Sequence, residues 1–268
     1  MKFKKMHDWS ADFAALFSIQ GLIGLITLSI LEIILGIDNI IFISIAVNKL
    51  PVTQQKKART IGLTLALVVR SVLLLFIGWI AGLKAALFYV GDYGVSGKSL
   101  ILIGGGIFLL IKTWQEIMEK IYTDEDEIEH IGKAKKTSFN AIILQIVIID
   151  FVFSFDSILA AVGVSGIVLI MISAVVISML LMILFSGYVA QFINKNQGIK
   201  MIALVFLLII GGILLAEGLI DCYNFSVPKE DHIELNKNYA YIALAFALFI
   251  EMFNMKEKAV KRKKDLGI

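Results

Sequence analysis

The sequence is poor in the residues that cross-link small domains or bind soft metals. It has one cysteine, Cys222, two prolines among 268 residues, and only 18% charged residues. A single cysteine excludes an intramolecular disulfide framework. The three histidines, His7, His130 and His232, lie outside the long apolar segments, so a zinc or copper site has little support. A net charge of only +3 gives no indication of a nucleic-acid partner.

Hydrophobic residues, in contrast, are abundant. They make up 59% of the chain, and the mean hydropathy is +0.87, which excludes an ordinary soluble domain and indicates an integral membrane protein. The apolar runs are continuous rather than alternating, so we predict helices and not a β-barrel. Each run is close to or above the roughly 20 residues that cross a bilayer. The predicted spans are residues 19–47, 60–81, 100–118, 139–162, 167–192, 201–220 and 239–253.

We therefore predict an all-α membrane protein with seven transmembrane helices. Three spans precede a charged connection, so the next three must begin on the opposite side of the membrane, as in an inverted repeat. The predicted parts are an extramembrane or interfacial segment (1–18), a single transmembrane domain (19–255) and a basic cytoplasmic tail (256–268). The membrane domain divides into repeat one (19–118), a charged cytoplasmic linker (119–138), repeat two (139–221) and the seventh helix (239–255).

The distribution of basic residues predicts the orientation. Sixteen of the 25 Lys and Arg residues lie in connections 1-2, 3-4 and 5-6 and in the C-terminal tail, against seven at the N-terminus and in the other connections. Because cytoplasmic loops carry an excess of Lys and Arg, we expect the N-terminus outside and the C-terminus in the cytoplasm.

Two apolar stretches carry matched acidic residues. LEIILGIDNII contains Glu32 and Asp38, six residues apart, and IDFVFSFDSIL contains Asp150 and Asp156 at the same spacing. Carboxylates inside a bilayer are costly and usually functional, so we interpret the two stretches as halves of one buried cation site. Carboxylate, amide and hydroxyl oxygens suit Mg²⁺, Ca²⁺ or Mn²⁺. The predicted metal ligands are Glu32, Asp38, Asn39, Asp150, Asp156 and Ser157.

Helical geometry decides which of these residues share a face. Residues seven apart point the same way in a straight helix, which pairs Glu32 with Asn39 and Asp150 with Ser157. Asp38 and Asp156 join them only if the helices unwind, and Gly36 favours a local break in the first span.

Other ionisable residues within or near the spans have weaker interpretations. Arg70 is a candidate counter-ion for the acids. Lys112 and Glu116, four residues apart, predict a surface pair. Glu217 is a candidate entrance ligand, with a solvated span end as the alternative.

From the residues alone, three function classes stay open. Acids at matched depths favour a transporter that alternates between metal-loaded and protonated forms. The sequence contains no GxxxxGK[ST] motif, so ATP is not implied as an energy source. A non-enzymatic role is expected, although two aspartates can also form an intramembrane aspartyl protease dyad. The third class is an accessory membrane protein that supports secretion or metalation of exported proteins through partner contacts. Structural salt bridges with Arg70 and Lys112 are the alternative to any ion path.

The motifs also resemble a known family. LEIILGIDNIIFI, LPVTQQKKARTIGLTLALVVR, IDFVFSFDSILAAVG and LLAEGLIDCYNFSVPKE occur in the order and at the spacing of the TerC family of integral membrane proteins. The resemblance implies a multi-pass protein of the bacterial inner or plasma membrane, related to the lysine exporter superfamily. It also implies manganese export as the function and places the five acidic-motif positions in the ion site: Glu32, Asp38, Asn39, Asp150 and Asp156.

The same resemblance sets the expected partners. They are a divalent cation, with Mn²⁺ first, and the lipid bilayer, while secretion machinery is a partner only in the accessory interpretation. No cofactor is expected. The family is also associated by name with tellurite resistance, but an oxyanion would not be attracted to a cluster of four carboxylates. The residues do not indicate an oligomeric state.

Overall fold

Helices account for most of the residues in this computed structural model, which describes residues 9–122, 138–164, 166–236 and 238–265. The helices are α1 (Trp9–Leu16), α2 (Ile19–Val47), α3 (Val52–Leu75), α4 (Ile77–Gly82), α5 (Gly97–Tyr122), α6 (Phe139–Val164), α7 (Val168–Lys195), α8 (Gln197–Asn224) and α9 (Asn238–Asp265), with a 3₁₀ turn at Lys229–Asp231. Two strands, β1 (Ala86–Val90) and β2 (Tyr93–Ser96), form a hairpin between α4 and α5.

All seven predicted spans lie on helices, so the helical prediction is confirmed. Within the described ranges, five helices are long and apolar enough to cross a membrane: α3, α5, α7, α8 and residues Tyr239–Glu257 of α9. Helix α2 adds a sixth if its two halves are counted as one bent span, and α6 contributes a shorter apolar stretch, Phe139–Phe155. The structure therefore supports an integral membrane protein with five to six candidate spans.

Helix α2 changes direction near its middle. Its first half, Ile19–Ile34, and its second half, Asn39–Val47, meet at an angle of 40°. Gly36 lies in the intervening turn, where the sequence predicts a break. A Cβ atom at Gly36 would collide with the side chain of Met182 in α7, so glycine allows the two helices to approach closely here.

The hairpin is a departure from the all-α prediction. The stretch before Gly91 is rich in aromatic and β-branched residues, and Gly91-Asp92 forms a two-residue turn between Val90 and Tyr93. Gly91 has φ +63°, which suits the first central position of a type II′ turn. The hairpin packs on the end of α8, since a Cβ at Gly94 would lie 2.6 Å from Cγ of Phe225.

The second predicted span is also corrected. It begins at Val52, eight residues before the predicted start, and α3 ends at Leu75 before the short α4. The exposed polar residues of the first turns of α3, such as Gln54 and Lys56, continue the helix but do not belong to the apolar run from which the span was predicted.

Small residues fix the contact between α5 and α8, which is the most extensive helix pair in the described chain. A Cβ at Gly106 would lie 2.6 Å from the backbone nitrogen of Leu215 and 2.9 Å from the carbonyl oxygen of Gly211. A Cβ at Gly104, in contrast, would meet nothing within 4 Å. The close approach of α5 and α8 therefore requires glycine at position 106 and not at position 104.

We expect Gly106→Ala to destabilise the protein by about 1–3 kcal/mol, because the added methyl group must push two backbones apart. Gly104→Ala is the matched control and should be neutral or stabilising by up to about 1 kcal/mol, because alanine is the better helix former. Thermal unfolding in detergent by circular dichroism measures both. Equal effects of the two substitutions would contradict the packing described here.

Candidate functional site

A buried arginine joins the two acidic stretches. Nη1 of Arg70 lies 2.6 Å from Oε2 of Glu32, and Nη2 lies 2.8 Å from Oδ1 of Asp150. Nε of Arg70 also donates to Oδ1 and Oδ2 of Asp150, at 3.2 and 3.3 Å. The relative exposures of Glu32, Arg70 and Asp150 are only 2%, 2% and 3%. One guanidinium thus connects α2, α3 and α6 inside the bundle.

Two neutral side chains complete the polar cluster around Asp150. Nδ2 of Asn39 donates to Oδ1 of Asp150 at 3.3 Å, and Oγ of Ser154 donates to Oδ2 at 3.1 Å. We call these five residues the central cluster: Glu32, Asn39, Arg70, Asp150 and Ser154. The guanidinium is the only described cation bonded to them, so two ionised carboxylates would leave the cluster with a charge of −1.

Local sequence explains why these side chains point inward. Arg70 lies on the same face of α3 as Leu63, Ala66 and Leu74, which are all buried. The small Ala66 leaves room for the guanidinium one turn away, and the buried leucines keep lipid from the charge. On α6, Asp150 and Ser154 are four residues apart and share a face.

The structure places Ser154, and not the predicted Ser157, beside Asp150. Oγ of Ser157 donates to the carbonyl oxygen of Ser154, within its own helix. A hydroxyl four residues after a buried carboxylate was the signal that identifies Ser154, because i, i+4 side chains are neighbours on a helix. The seven-residue spacing correctly places Glu32 and Asn39 at one cluster.

The remaining predicted ligands are not placed by the structure. Asp38 and Asp156 lie on helical backbone in α2 and α6, but their side chains lie outside the described residues. Among the side chains that the structure describes, no three of His, Cys, Asp and Glu lie close enough together to hold a metal ion. The described part of the site therefore consists of two carboxylates, an amide, a hydroxyl and the arginine.

Glu217, the candidate entrance residue, lies at the hairpin end of α8. Its Oε1 is 3.6 Å from Nζ of Lys98, which is also 3.4 Å from Oδ1 of Asp221. Oγ of Ser96 donates to Oδ2 of Asp221 at 2.7 Å. The structure therefore places Glu217 beside a lysine that ties the hairpin and the start of α5 to α8.

We expect Arg70→Met to destabilise the protein by about 3–5 kcal/mol, because it leaves two buried carboxylates without their cation. Adding Glu32→Gln and Asp150→Asn to the same chain should restore much of the loss, since the uncompensated charges are then gone. Thermal unfolding of the single and triple variants in one detergent measures both effects. A triple variant no more stable than Arg70→Met would contradict an electrostatic role for the cluster.

Comparison with known proteins identifies the family. The family model described as "Integral membrane protein TerC family" matches residues 17–266. The UPF0053 inner membrane protein YoaE of Escherichia coli K12 is 43% identical over 231 residues, which cover 86% of this chain and 42% of that protein. A UPF0053 protein of Haemophilus influenzae is 38% identical over 258 residues, covering 96% of this chain and 100% of that protein.

The lengths of these relatives differ. The chain spans only about two fifths of YoaE, at 42%, but all of the Haemophilus influenzae protein. No solved structure matches the chain. Since the family model covers nearly every residue, including both acidic stretches and Arg70, the chain belongs to the TerC family of integral membrane proteins.

Proposed function

We propose that this protein carries a divalent cation across the bacterial cell membrane, with Mn²⁺ as the substrate and export as the direction. The central cluster is the observation that carries the proposal. It buries two carboxylates, an amide and a hydroxyl among apolar helices, where such groups are costly unless they serve a function. Oxygen ligands of this kind suit a hard or borderline divalent cation. The choice of Mn²⁺ and of export comes from the family resemblance.

The helix packing supports the proposed inverted repeat. If α2, α3 and α5 correspond to α6, α7 and α8, the contact of α2 with α7 corresponds to that of α6 with α3. Both contacts are among the most extensive in the described chain, and α5 packs on its own counterpart α8. We propose seven spans in this arrangement, with the N-terminus outside and the C-terminus in the cytoplasm. Glu32 and Asp150 occupy corresponding helices, as expected for a site at the repeat interface.

Arg70 explains how such a site stays stable without its substrate. Its guanidinium compensates Glu32 and Asp150 through four short contacts, which is the arrangement a buried acid pair needs. An arriving divalent cation competes with Arg70 for the same carboxylate oxygens. Asn39 and Ser154 can then supply neutral oxygens from their amide and hydroxyl groups. Substrate binding therefore requires the guanidinium to move away from at least one carboxylate.

When the cation leaves, one guanidinium stands between two carboxylates, so one negative charge stays uncompensated in a medium of low dielectric. Such a charge favours protonation of one carboxylate, so release of the metal is coupled to uptake of a proton. This coupling makes the proposed mechanism an antiport of protons and metal. We include Asp38 and Asp156, one on each acidic stretch, among the proposed metal ligands because of their place in the sequence.

We expect Asp150→Asn and Glu32→Gln each to lower Mn²⁺ flux at least about tenfold, because a bond to a charged ligand contributes about 1.5–3 kcal/mol. The measurement is Mn²⁺ movement in proteoliposomes of known orientation at equal protein content. Mg²⁺ and Ca²⁺ as competitors rank the ions.

Two controls separate the site from general damage. Asp231→Asn makes the same chemical change at an exposed position and should leave the flux unchanged. Ser154→Ala should weaken transport more than Ser157→Ala, since only Ser154 bonds to Asp150. Normal flux in both Asp150→Asn and Glu32→Gln would contradict the proposed ion site.

Proton coupling is checked in the same proteoliposomes. Collapse of the pH gradient with an ionophore should stop Mn²⁺ movement against its own gradient, because each released metal ion is replaced by protons. Downhill movement of Mn²⁺ through the same preparation serves as the control for intact protein. Uphill transport that continues without a pH gradient would exclude the antiport mechanism.

The accessory role is the second candidate. It would be favoured by an effect on exported proteins that persists after Glu32 and Asp150 are neutralised. An aspartyl protease gains no support from the central cluster, because a protease dyad shares a proton between two acids, whereas here a guanidinium lies between them.

A further inference from the structure

The second half of α2 fills the bundle on one side of the central cluster. Every residue from position 39 to position 47 is buried, and Ala46 and Val47 have no exposed surface. The first half of α2, in contrast, exposes apolar side chains such as Ile23 and Ile26. A helix that is apolar and buried all round lies inside a bundle and not at its lipid surface.

This half-helix begins at the site and ends at one face of the protein. Its first residue, Asn39, bonds to Asp150, and its nine residues extend about 13 Å at 1.5 Å per residue. Ile41 and Ile45 pack in a cluster with Ile117 of α5, Ile193 of α7 and Leu204 of α8. The half-helix therefore closes the space between the central cluster and this face, which we call the Lys49 face.

Polar contacts hold the end of the half-helix in place. Nδ2 of Asn48 donates to Oδ1 of Asn194 at 2.5 Å, and Nδ2 of Asn194 donates back to Oδ1 of Asn48 at 3.1 Å. The next residue, Lys49, has its Nζ 2.7 Å from Oε1 of Glu116 and 2.7 Å from Oε2 of Glu119. The end of α2 is thus tied to α7 by amides and to α5 by charges.

The Lys49 ion pairs differ from the central ones in exposure. The Lys49 side chain is 26% exposed and that of Glu119 is 57% exposed, so water reaches this group. Burial alone would lower the pKa of Lys49, but hydrogen bonds and charge interactions with Glu116 and Glu119 outweigh it and raise that pKa. Glu116 therefore pairs with Lys49 across helices, in place of the surface pair that its spacing from Lys112 predicts.

We propose that Lys49 is a positioning residue that keeps the Lys49 face closed: its ion pairs hold the second half of α2 against α5, and their release opens a route to Asp150. That a divalent cation uses this route rests on the proposed function. The opening itself does not, because it follows from the half-helix, its bend and its contacts.

Three features make the half-helix the movable part. The 40° bend with Gly36 in the turn gives it a hinge. Its described hydrogen bond to Asp150 is an amide bond of 3.3 Å from Asn39, which is longer than the ion pairs of Arg70.

The far end of the half-helix is held by Lys49, which is partly exposed, through the buried Glu116 and the exposed Glu119. Water reaches the lysine and can replace its partners, and exposed ion pairs are weak enough to open. The ion pairs of Arg70 join α3 to α6 and to the first half of α2, so movement of the second half does not have to break them.

The test measures exposure of a reporter cysteine within the half-helix. Ser44, which has no exposed surface, is changed to cysteine in a Cys222→Ser background, and the full chain is placed in lipid nanodiscs. The probe is a cationic, water-soluble methanethiosulfonate reagent that reaches both faces. We expect Lys49→Gln to speed its reaction at position 44 about tenfold, which corresponds to about 1.4 kcal/mol.

Matched variants isolate the ion pair. Lys57→Gln removes the same charge from an exposed lysine at the start of α3 and should leave the rate unchanged. Lys49→Arg should keep the slow rate, and the charge exchange of Lys49→Glu with Glu116→Lys should largely restore it. Glu119→Gln, a milder change of the exposed partner, should accelerate the reaction about threefold, in the range of exposed ion pairs.

A second reporter distinguishes opening from loosening. Ser29 is buried in the first half of α2, on the other side of Glu32, and Ser29→Cys should react slowly in every variant. An unchanged rate at position 44 in both Lys49→Gln and Glu119→Gln would overturn the proposal. An equal rise at positions 29 and 44 would overturn it too, because the bundle would then be loosened as a whole. The cysteine reaction is measured without Mn²⁺, so its result does not depend on whether the protein transports that ion.

Discussion

The bond network of Arg70 is the constraint on which the interior of this protein depends. Two carboxylates on α2 and α6 can be buried among apolar helices only because one guanidinium on α3 reaches both. The planar fork of arginine fits this task, since it offers several donors in fixed directions and keeps its charge in a buried setting. The three helices are therefore fixed relative to each other by charge as well as by packing. Any cation that binds Glu32 or Asp150 must compete with Arg70 for their oxygens.

The sequence predicts the helices well because the hydrophobic runs are long and uninterrupted. It predicts the hairpin poorly, since Ala86–Val90 is apolar and aromatic and was read as part of a connection. The two-residue Gly91-Asp92 turn was the available signal. The sequence predicts too late a start for α3, because the first turns of this helix are polar. Hydropathy identifies the apolar residues that cross the membrane core and does not show whether the helix continues into polar sequence.

The central cluster was predictable only in part. Spacing and burial cost identify Glu32, Asn39 and Asp150, and charge alone suggests Arg70 as their counter-ion. Which acids Arg70 contacts depends on how α3 packs against α2 and α6, which is a tertiary property that spacing does not contain. The repeat of a polar residue after each second acid points to Ser157, whereas the helical i, i+4 relation to Asp150 points to Ser154. Local spacing predicts that Glu116 pairs with Lys112, whereas in the structure Lys49, from the connection between α2 and α3, pairs with it.

The choice between arginine and lysine at each ion pair follows from how deeply the pair is buried. The central cluster uses arginine, which keeps two deeply buried acids compensated and makes several bonds at once. The two ends use lysine, Lys49 on one face and Lys98 beside the hairpin. Each lysine is itself partly exposed and bridges two acids. A lysine is a compact charge on a flexible stem, and water can replace its partners at low cost. The distribution of arginine and lysine therefore places the strongly bonded ion pairs in the centre and the more readily exchanged ones at the two ends.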